Sequence, residues 1–368
     1  MSILSAPAAS NDRGAASRFA SLPPARAAAV LVALAALMAL SLFYTSHPQR
    51  VPPLAHAVNG FRLYGAIVKR MRGGESYETA AVSELRAEGG PLKPFVTVRP
   101  PALATALAWL PNQRSAAIAL MALAGITLGA WAIRLRACRP SAVWLGWVVA
   151  ALFCGIGPPL LTAGPMSLFH EAWAGLLIAL SLALRTERRF LAAALVGCLA
   201  ALIRELTLPY LLVMVIIAFA ERRRGEGAAF ALALAAALAA LAWHASAVMA
   251  LTTPQDFASP GWAALAGWGF VLSTARWNAL VALLGPWAAA MIVPAALVGA
   301  LGRRDGLGLR LSVLLIGYSL GFMVIGRPSN SYWGLVTTPL FAVGLALAPI
   351  AIADLLRAAA GRPARASA

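Results

Sequence analysis

The sequence predicts an all-α, polytopic transmembrane bundle of about ten spans, two of them forming a short broken hairpin, with a large extracytoplasmic first loop carrying amphipathic helices. Three observations carry that prediction. Hydrophobic residues make up 61% of the 368 positions and charged residues 12%, against roughly 25% charged in soluble domains. Apolar stretches recur from Val30 to Leu355, most near the ~20 residues that a hydrocarbon core requires. The short links between them alternate between arginine-rich and arginine-poor, the asymmetry that orients helices in a bilayer. A net charge of +17 would point a soluble chain towards nucleic acid. Here most of it sits in the links, so membrane lipids are the expected partner and nucleic acid is not.

Residues 1–26 read as a cytoplasmic tail, and the single membrane domain covers 27–355. The run 27–44 is expected to be an uncleaved first span, because Ala55-His56-Ala57 lies too far beyond it for a signal-peptide cleavage site. The extracytoplasmic segment 47–114 follows. In it Phe61, Tyr64, Ile67, Val68 and Met71 recur at helical spacing, with Arg62, Lys69 and Arg72 elsewhere on the circumference. That pattern predicts an amphipathic helix lying on the membrane. Gly73-Gly74 ends it, a second helix is expected over 76–88, and a short apolar helix runs to Leu110.

Further spans are expected at 116–133, 142–161, 166–184, 190–203, 206–220, 228–251, 278–301, 309–325 and 332–355, before a basic cytoplasmic tail at 356–368. The pair 190–203 and 206–220 is too short to cross: each limb reaches about 20 Å against a core of about 30 Å. Arginine-rich links flank the pair on both sides, so it must enter and return, with Arg204-Glu205 at its tip inside a protein-lined cavity. Counting the N-terminal tail, eighteen arginines fall on one side of the short links and Arg204, Arg276 and Arg327 on the other. Both termini are therefore expected in the cytoplasm. Cys138, Cys154 and Cys198 have neither a metal-ligand spacing nor a disulfide pattern.

The scarce polar residues gather at the arginine-poor face. Glu75, after Gly73-Gly74 and before Tyr77, is placed to take a proton from an acceptor hydroxyl, with Glu78 as runner-up. An ordinary first-turn glutamate favouring the helix dipole explains Glu75 equally well. Arg99, held extended by Pro100-Pro101, suits a lipid phosphate, or any headgroup. His170-Glu171 and Arg204-Glu205 are ionisable groups within apolar sequence, which normally face a cavity or one another. Pairing of Glu171 or Glu205 with Arg204 could serve helix packing alone. Arg327, Asn330, Tyr332 and Trp333 form the last outer link, where a sugar site and an aromatic belt with a turn are the competing readings. No glycine-rich phosphate loop is present.

These residues resemble the GT-C superfamily of integral-membrane glycosyltransferases, which includes protein O-mannosyltransferases and aminoarabinose transferases. The resemblance lies in the acidic residue before a tyrosine in the first outer loop (Glu75, Tyr77), in Arg99-Pro100-Pro101 ahead of the second span, in the short hairpin with Arg204 and Pro209, and in the outer polar cluster. The family usually has Asp where this chain has Glu75. The resemblance implies a bacterial inner-membrane transferase that moves a sugar from a polyprenyl-phosphate donor, with inversion, to an extracytoplasmic acceptor. Its implied roles are Glu75 or Glu78 as base, Arg99, Arg204 and Arg327 on the departing phosphate, and His170, Glu171, Glu205 and Asn330 on sugar hydroxyls, with Tyr77 and Tyr332 beside them. It implies the lipid-linked sugar as substrate and no certain cofactor; a divalent metal and the oligomeric state are left open. A transporter or lipid flippase is the alternative, since short charged helices also build transport sites. The cytoplasmic halves of the spans read as nearly free of ionisable groups, which favours a one-sided enzyme.

Overall fold

The computed structural model describes residues 17–46, 55–136 and 163–362. Among these the chain is helical, with no strand and only two isolated bridges, Lys93 with Ala258 and Ala263 with Ile325. The expected span 142–161, with Cys138 and Cys154, lies outside the described residues.

The helices in order are α1 (Pro24–Ser46), α2 (Ala55–Arg72), α3 (Tyr77–Ala87), α4 (Ala102–Trp109), α5 (Gln113–Arg136), α6 (His170–Leu184) and α7 (Phe190–Ile203). They continue with α8 (Leu208–Ala220), α9 (Arg224–Leu251), α10 (Gly267–Ala275), α11 (Ala279–Leu284), α12 (Pro286–Gly302), α13 (Gly306–Val324) and α14 (Gly334–Ala359). Among the described residues, five segments are long and apolar enough to cross a membrane: α1, α5, α9, α13 and the unit formed by α14 with the turn before it. The apolar helices α6, α7, α8 and α12 are shorter. Outward-facing Val32, Leu40 and Phe43 on α1, and Ile126 and Ile133 on α5, need hydrocarbon rather than water around them.

Two departures from the sequence expectation have plain causes. The span expected over 278–301 is broken, because Gly285 takes a left-handed φ of 93° and Pro286 starts a new helix. The apolar stripe of α2 is covered by protein: Ile67 and Val68 are buried in the core that includes Tyr77 of α3 and Leu103 and Leu107 of α4. The hairpin matches expectation. Helix α7 ends at an extended Arg204, one 3-10 turn covers Glu205–Thr207, and α8 returns with Pro209 in its first turn. Buried Ser181 ties the hairpin to α6, donating to the Ala193 carbonyl at 2.6 Å and meeting the Tyr210 hydroxyl at 2.6 Å.

Small residues let the central helices approach closely, as membrane helices do when no hydrophobic force drives them together. A β-carbon added at Gly299 of α12 would overlap the Gly344 carbonyl of α14.

The arginine-rich links come together at one end. Ser17 donates its amide to Asp354 at 2.8 Å, Arg18 donates to the Arg303 carbonyl at 2.7 Å, and Arg304 donates to Ser21 at 2.9 Å. Arg185 meets Glu226 at 2.8 Å and Arg310 meets Glu221 at 2.8 Å. Helices α6, α7 and α8 run from this end to the other, where Glu171, Arg204 and Glu205 lie.

Candidate functional site

The site is built where three chain breaks meet. Helix α6 begins at His170 after an extended Phe169, α7 stops at Arg204, and the 95–101 segment passes beside them. Arg204 donates through Nε to Glu171 at 2.6 Å and through Nη1 to Glu205. The guanidinium of Arg99 lies 3.5 Å from the same Glu171 oxygen and donates to the Tyr332 hydroxyl at 2.6 Å. Arg204, Glu171 and His170 are all at most 2% exposed. Tyr318 of α13 holds the hairpin tip by donating to the Leu206 carbonyl at 2.9 Å.

Aromatic rings enclose the cluster. Tyr64 lies 4.8 Å from the His170 ring, Phe169 lies 5.8 Å from Trp277 and 5.9 Å from Tyr332, and Arg99 stacks over Tyr332 at 5.8 Å. Burial pushes the Tyr64 hydroxyl up to about 12 and the Tyr77 hydroxyl well above its usual value. Both therefore stay protonated as donors. Tyr77 uses that proton on the Arg99 carbonyl at 2.6 Å.

Two properties define what this arrangement can hold. Two guanidiniums face two carboxylates, so the group is close to neutral. Yet Arg99 Nε, Glu205 Oε2 and both ring nitrogens of His170 are buried without a hydrogen-bond partner; the Leu168 carbonyl approaches His170 outside hydrogen-bond geometry. A buried polar atom left unmet costs about 1–3 kcal/mol, and such groups in a folded protein call for a ligand or water. Near-neutral charge, mixed donors and acceptors, and surrounding rings suit a polyhydroxylated ligand better than a bare dianion.

Of the expected site residues, Tyr77, Arg99, His170, Glu171, Arg204, Glu205 and Tyr332 come together. Glu75 does not join them. Both its oxygens accept from Arg70, at 2.5 and 2.7 Å, and Arg70 also meets Glu84 at 3.1 Å. Those bonds to Arg70 hold the Glu75 carboxyl below the usual range. Arg327 turns away as well: it donates to Ser259 at 3.2 Å, stacks over Trp262 at 5.8 Å and shares the Asn330 side-chain oxygen with its own amide at 3.4 Å. Asn330 thus caps the 3-10 turn Pro328–Trp333.

Glu78 faces a residue that the sequence reading passed over. His244, 1% exposed in α9, places Nδ1 3.8 Å from Glu78 Oε1. The signal for His244 was present: an ionisable side chain in an Ala/Leu-rich span, the same criterion that marked His170. Tyr64 was visible only as one member of an apolar stripe.

The expectation that the arginine-rich halves lack ionisable groups does not hold. Arg310 is 0% exposed, Glu226 3% and Arg185 7%, and Arg185 and Arg310 both bond Glu226, at 2.8 and 3.2 Å. These residues sit at helix ends, and burial of their side chains follows from close convergence of the links. Among the described residues, no three His, Cys, Asp or Glu side chains gather as a metal site. No family model, no curated protein and no solved structure matches this chain.

Proposed function

We propose that the chain is an integral-membrane glycosyltransferase that takes a sugar from a polyprenyl-phosphate donor and binds that sugar in the Arg99–Glu171–Arg204 cluster. One observation carries this reading: the buried, near-neutral, ring-lined cluster whose His170, Arg99 and Glu205 atoms lack partners. Sugar hydroxyls both donate and accept, so they can meet an imidazole, a guanidinium N–H and a carboxylate oxygen together. In the transfer, an acceptor oxygen forms a bond to the anomeric carbon, the bond from that carbon to the phosphate oxygen breaks, and the acceptor proton passes to a carboxylate. Glu78, with one oxygen unpartnered, fits that base better than Glu75, whose oxygens are both taken by Arg70. Arg99, next to Tyr332, would stabilise the departing phosphate electrostatically.

The test is a strain lacking the chain, with polyprenyl-phosphate-linked sugars measured by mass spectrometry of lipid extracts. Accumulation of one such donor, cleared by the wild-type chain but not by Glu78→Gln at equal protein level, is the expected result. Full clearance by Glu78→Gln would remove Glu78 from the chemistry, and no accumulation would remove the donor class.

The ion clusters at both ends of α6–α8 favour a second reading, a lipid-sugar transporter, because alternating access needs ionisable groups on both halves of the path. Movement of labelled polyprenyl-phosphate sugar across proteoliposomes without bond cleavage would decide for it.

A further inference from the structure

The backbone of Arg99 is gripped from two sides by residues outside the cluster. Tyr77 of α3 donates to the Arg99 carbonyl at 2.6 Å. One residue earlier, the Val98 carbonyl lies 3.1 Å from His244 Nε2 of α9. A carbonyl only accepts, so this contact is a hydrogen bond only if Nε2 carries the proton. That assignment leaves Nδ1 bare, and Nδ1 is the buried, unpartnered nitrogen facing the equally unpartnered Glu78 Oε1. Val98 itself is 1% exposed. Water therefore has little access to replace the His244 bond, and its loss would leave a buried carbonyl unmet.

We propose that His244 is a positioning residue: as the Nε2–H tautomer it fixes the Val98–Arg99 backbone and so aims the Arg99 guanidinium at Tyr332 and Glu171, with its bare Nδ1 turned towards Glu78. The groups around the imidazole are few. Helix α3 supplies Glu78 and Tyr77, whose ring centroid lies 6.1 Å away, and the 95–99 segment supplies the Val98 carbonyl and the Arg99 cation beyond it. Helices α7 and α8 also pack on α9. The polar contacts they bring, Cys198 on the Ala233 carbonyl and Tyr210 beside Phe230, are made more than a turn from His244.

The placement of Arg99 at a working site rests on the proposed function; the device itself does not, and its test is separate. The full chain, labelled with ¹⁵N-histidine in nanodiscs, gives long-range ¹H–¹⁵N correlations that report each ring's tautomer, with His244 assigned by its loss in His244→Gln. A single Nε2–H tautomer is expected near neutral pH, and an Nδ1–H tautomer overturns the proposal. Hydrogen exchange by mass spectrometry then follows peptides covering 92–99. His244→Gln, whose amide N–H₂ reaches about as far as Nε2–H, should keep wild-type protection, whereas the shorter His244→Asn should raise exchange at least tenfold. Equal exchange in the two variants overturns the proposal. If His244→Asn does not fold, the wild-type tautomer and the His244→Gln exchange still decide it. Loss of glycosyl transfer plays no part in either readout, so a failed functional reading and a failed positioning device are told apart.

Discussion

Replacing Arg204 and Glu171 singly and together separates a helix clamp from a working site. Arg204 is 1% exposed and bonds both Glu171 and Glu205, while Glu171 also has Arg99 at 3.5 Å. Breaking a buried ion pair by removing one member costs about 3–5 kcal/mol, because the other charge is left without compensation. The two single variants should differ within that range. Arg204→Met leaves Glu171 with Arg99 and strands only Glu205, which puts it at the lower end. Glu171→Leu leaves Arg99 and Arg204 with one carboxylate between them, at Glu205, which puts it at the upper end. The double variant removes the Arg204–Glu171 pair together, but leaves Glu205 as stranded as Arg204→Met does and Arg99 with Tyr332 alone. Its loss should fall short of the sum of the two singles by about 0.5–3 kcal/mol, the coupling of the pair.

Equilibrium unfolding in mixed micelles, followed by tryptophan fluorescence, measures all three. Single-variant losses below about 1 kcal/mol, or a double variant equal to the sum of the singles, would refute the pairing. The folded double variant then carries the functional arm: the proposed transfer should be absent from it. Transfer at wild-type rate would make the cluster a clamp and leave the site without its centre.

Three further outcomes follow from the packing and the charges. Gly299→Ala should destabilise by about 1–3 kcal/mol, since the new β-carbon meets the Gly344 carbonyl and lies 2.6 Å from the Ala348 nitrogen. Gly317→Ala, with nothing within 4 Å, is its control and should be neutral or stabilising in the same unfolding assay. The Asp256 carboxyl is held below its ordinary 3.8 chiefly by Arg86, which donates to it at 2.7 and 2.8 Å. Its stabilising contribution is therefore complete above 3.8 and lost as pH falls through the folded value, so Asp256→Asn should flatten the acid limb of a stability–pH curve and leave its slope near neutrality unchanged. Arg310→Met should cost about 3–5 kcal/mol by the same fluorescence measurement, because Arg310 is fully buried and bonds both Glu221 and Glu226.

Local rules recovered what local physics decides. The hairpin was legible because two apolar runs shorter than a bilayer, flanked by arginines, leave the chain no other course. The convergence of Arg204, Glu171, His170 and Arg99 was legible because buried charges in apolar sequence must find one another. Glu75 was misplaced for an equally physical reason: the Gly73-Gly74 turn folds it back onto Arg70, five residues earlier, and spacing does not reveal which carboxylate a turn will hand to a nearby arginine. Arg327 found Ser259 and Trp262, about seventy residues and two expected spans earlier in the chain, a contact that no local spacing announces. The break at Gly285-Pro286 was written in the chain as a turn signal, and mean hydropathy passed over it because both residues count as uncharged.

The two buried ion clusters differ in a way that bears on function. At the arginine-rich end the partners lie at helix termini, and the charges close on one another: Arg185 on Glu226, Arg310 on Glu221 and Glu226, Arg223 on Glu226. There, among the described residues, Arg310 Nε and the hydroxyls of Ser17 and Ser312 are unmet. At the opposite end Arg99 Nε, Glu205 Oε2 and both His170 nitrogens are unmet in the cluster, with Glu78 Oε1 and His244 Nδ1 beside it. The His170 ring lies tilted 4.8 Å from that of Tyr64, and the 98–99 backbone is held by side chains from two other helices. Helix packing explains the first cluster, since converging links leave arginines nowhere to go but onto each other's carboxylates. It does not explain the second, where an apolar replacement would avoid the desolvation of every unmet group. More unmet atoms within the cluster is the difference between the two ends, and it supports the proposed one-sided transferase over a carrier with two equivalent faces.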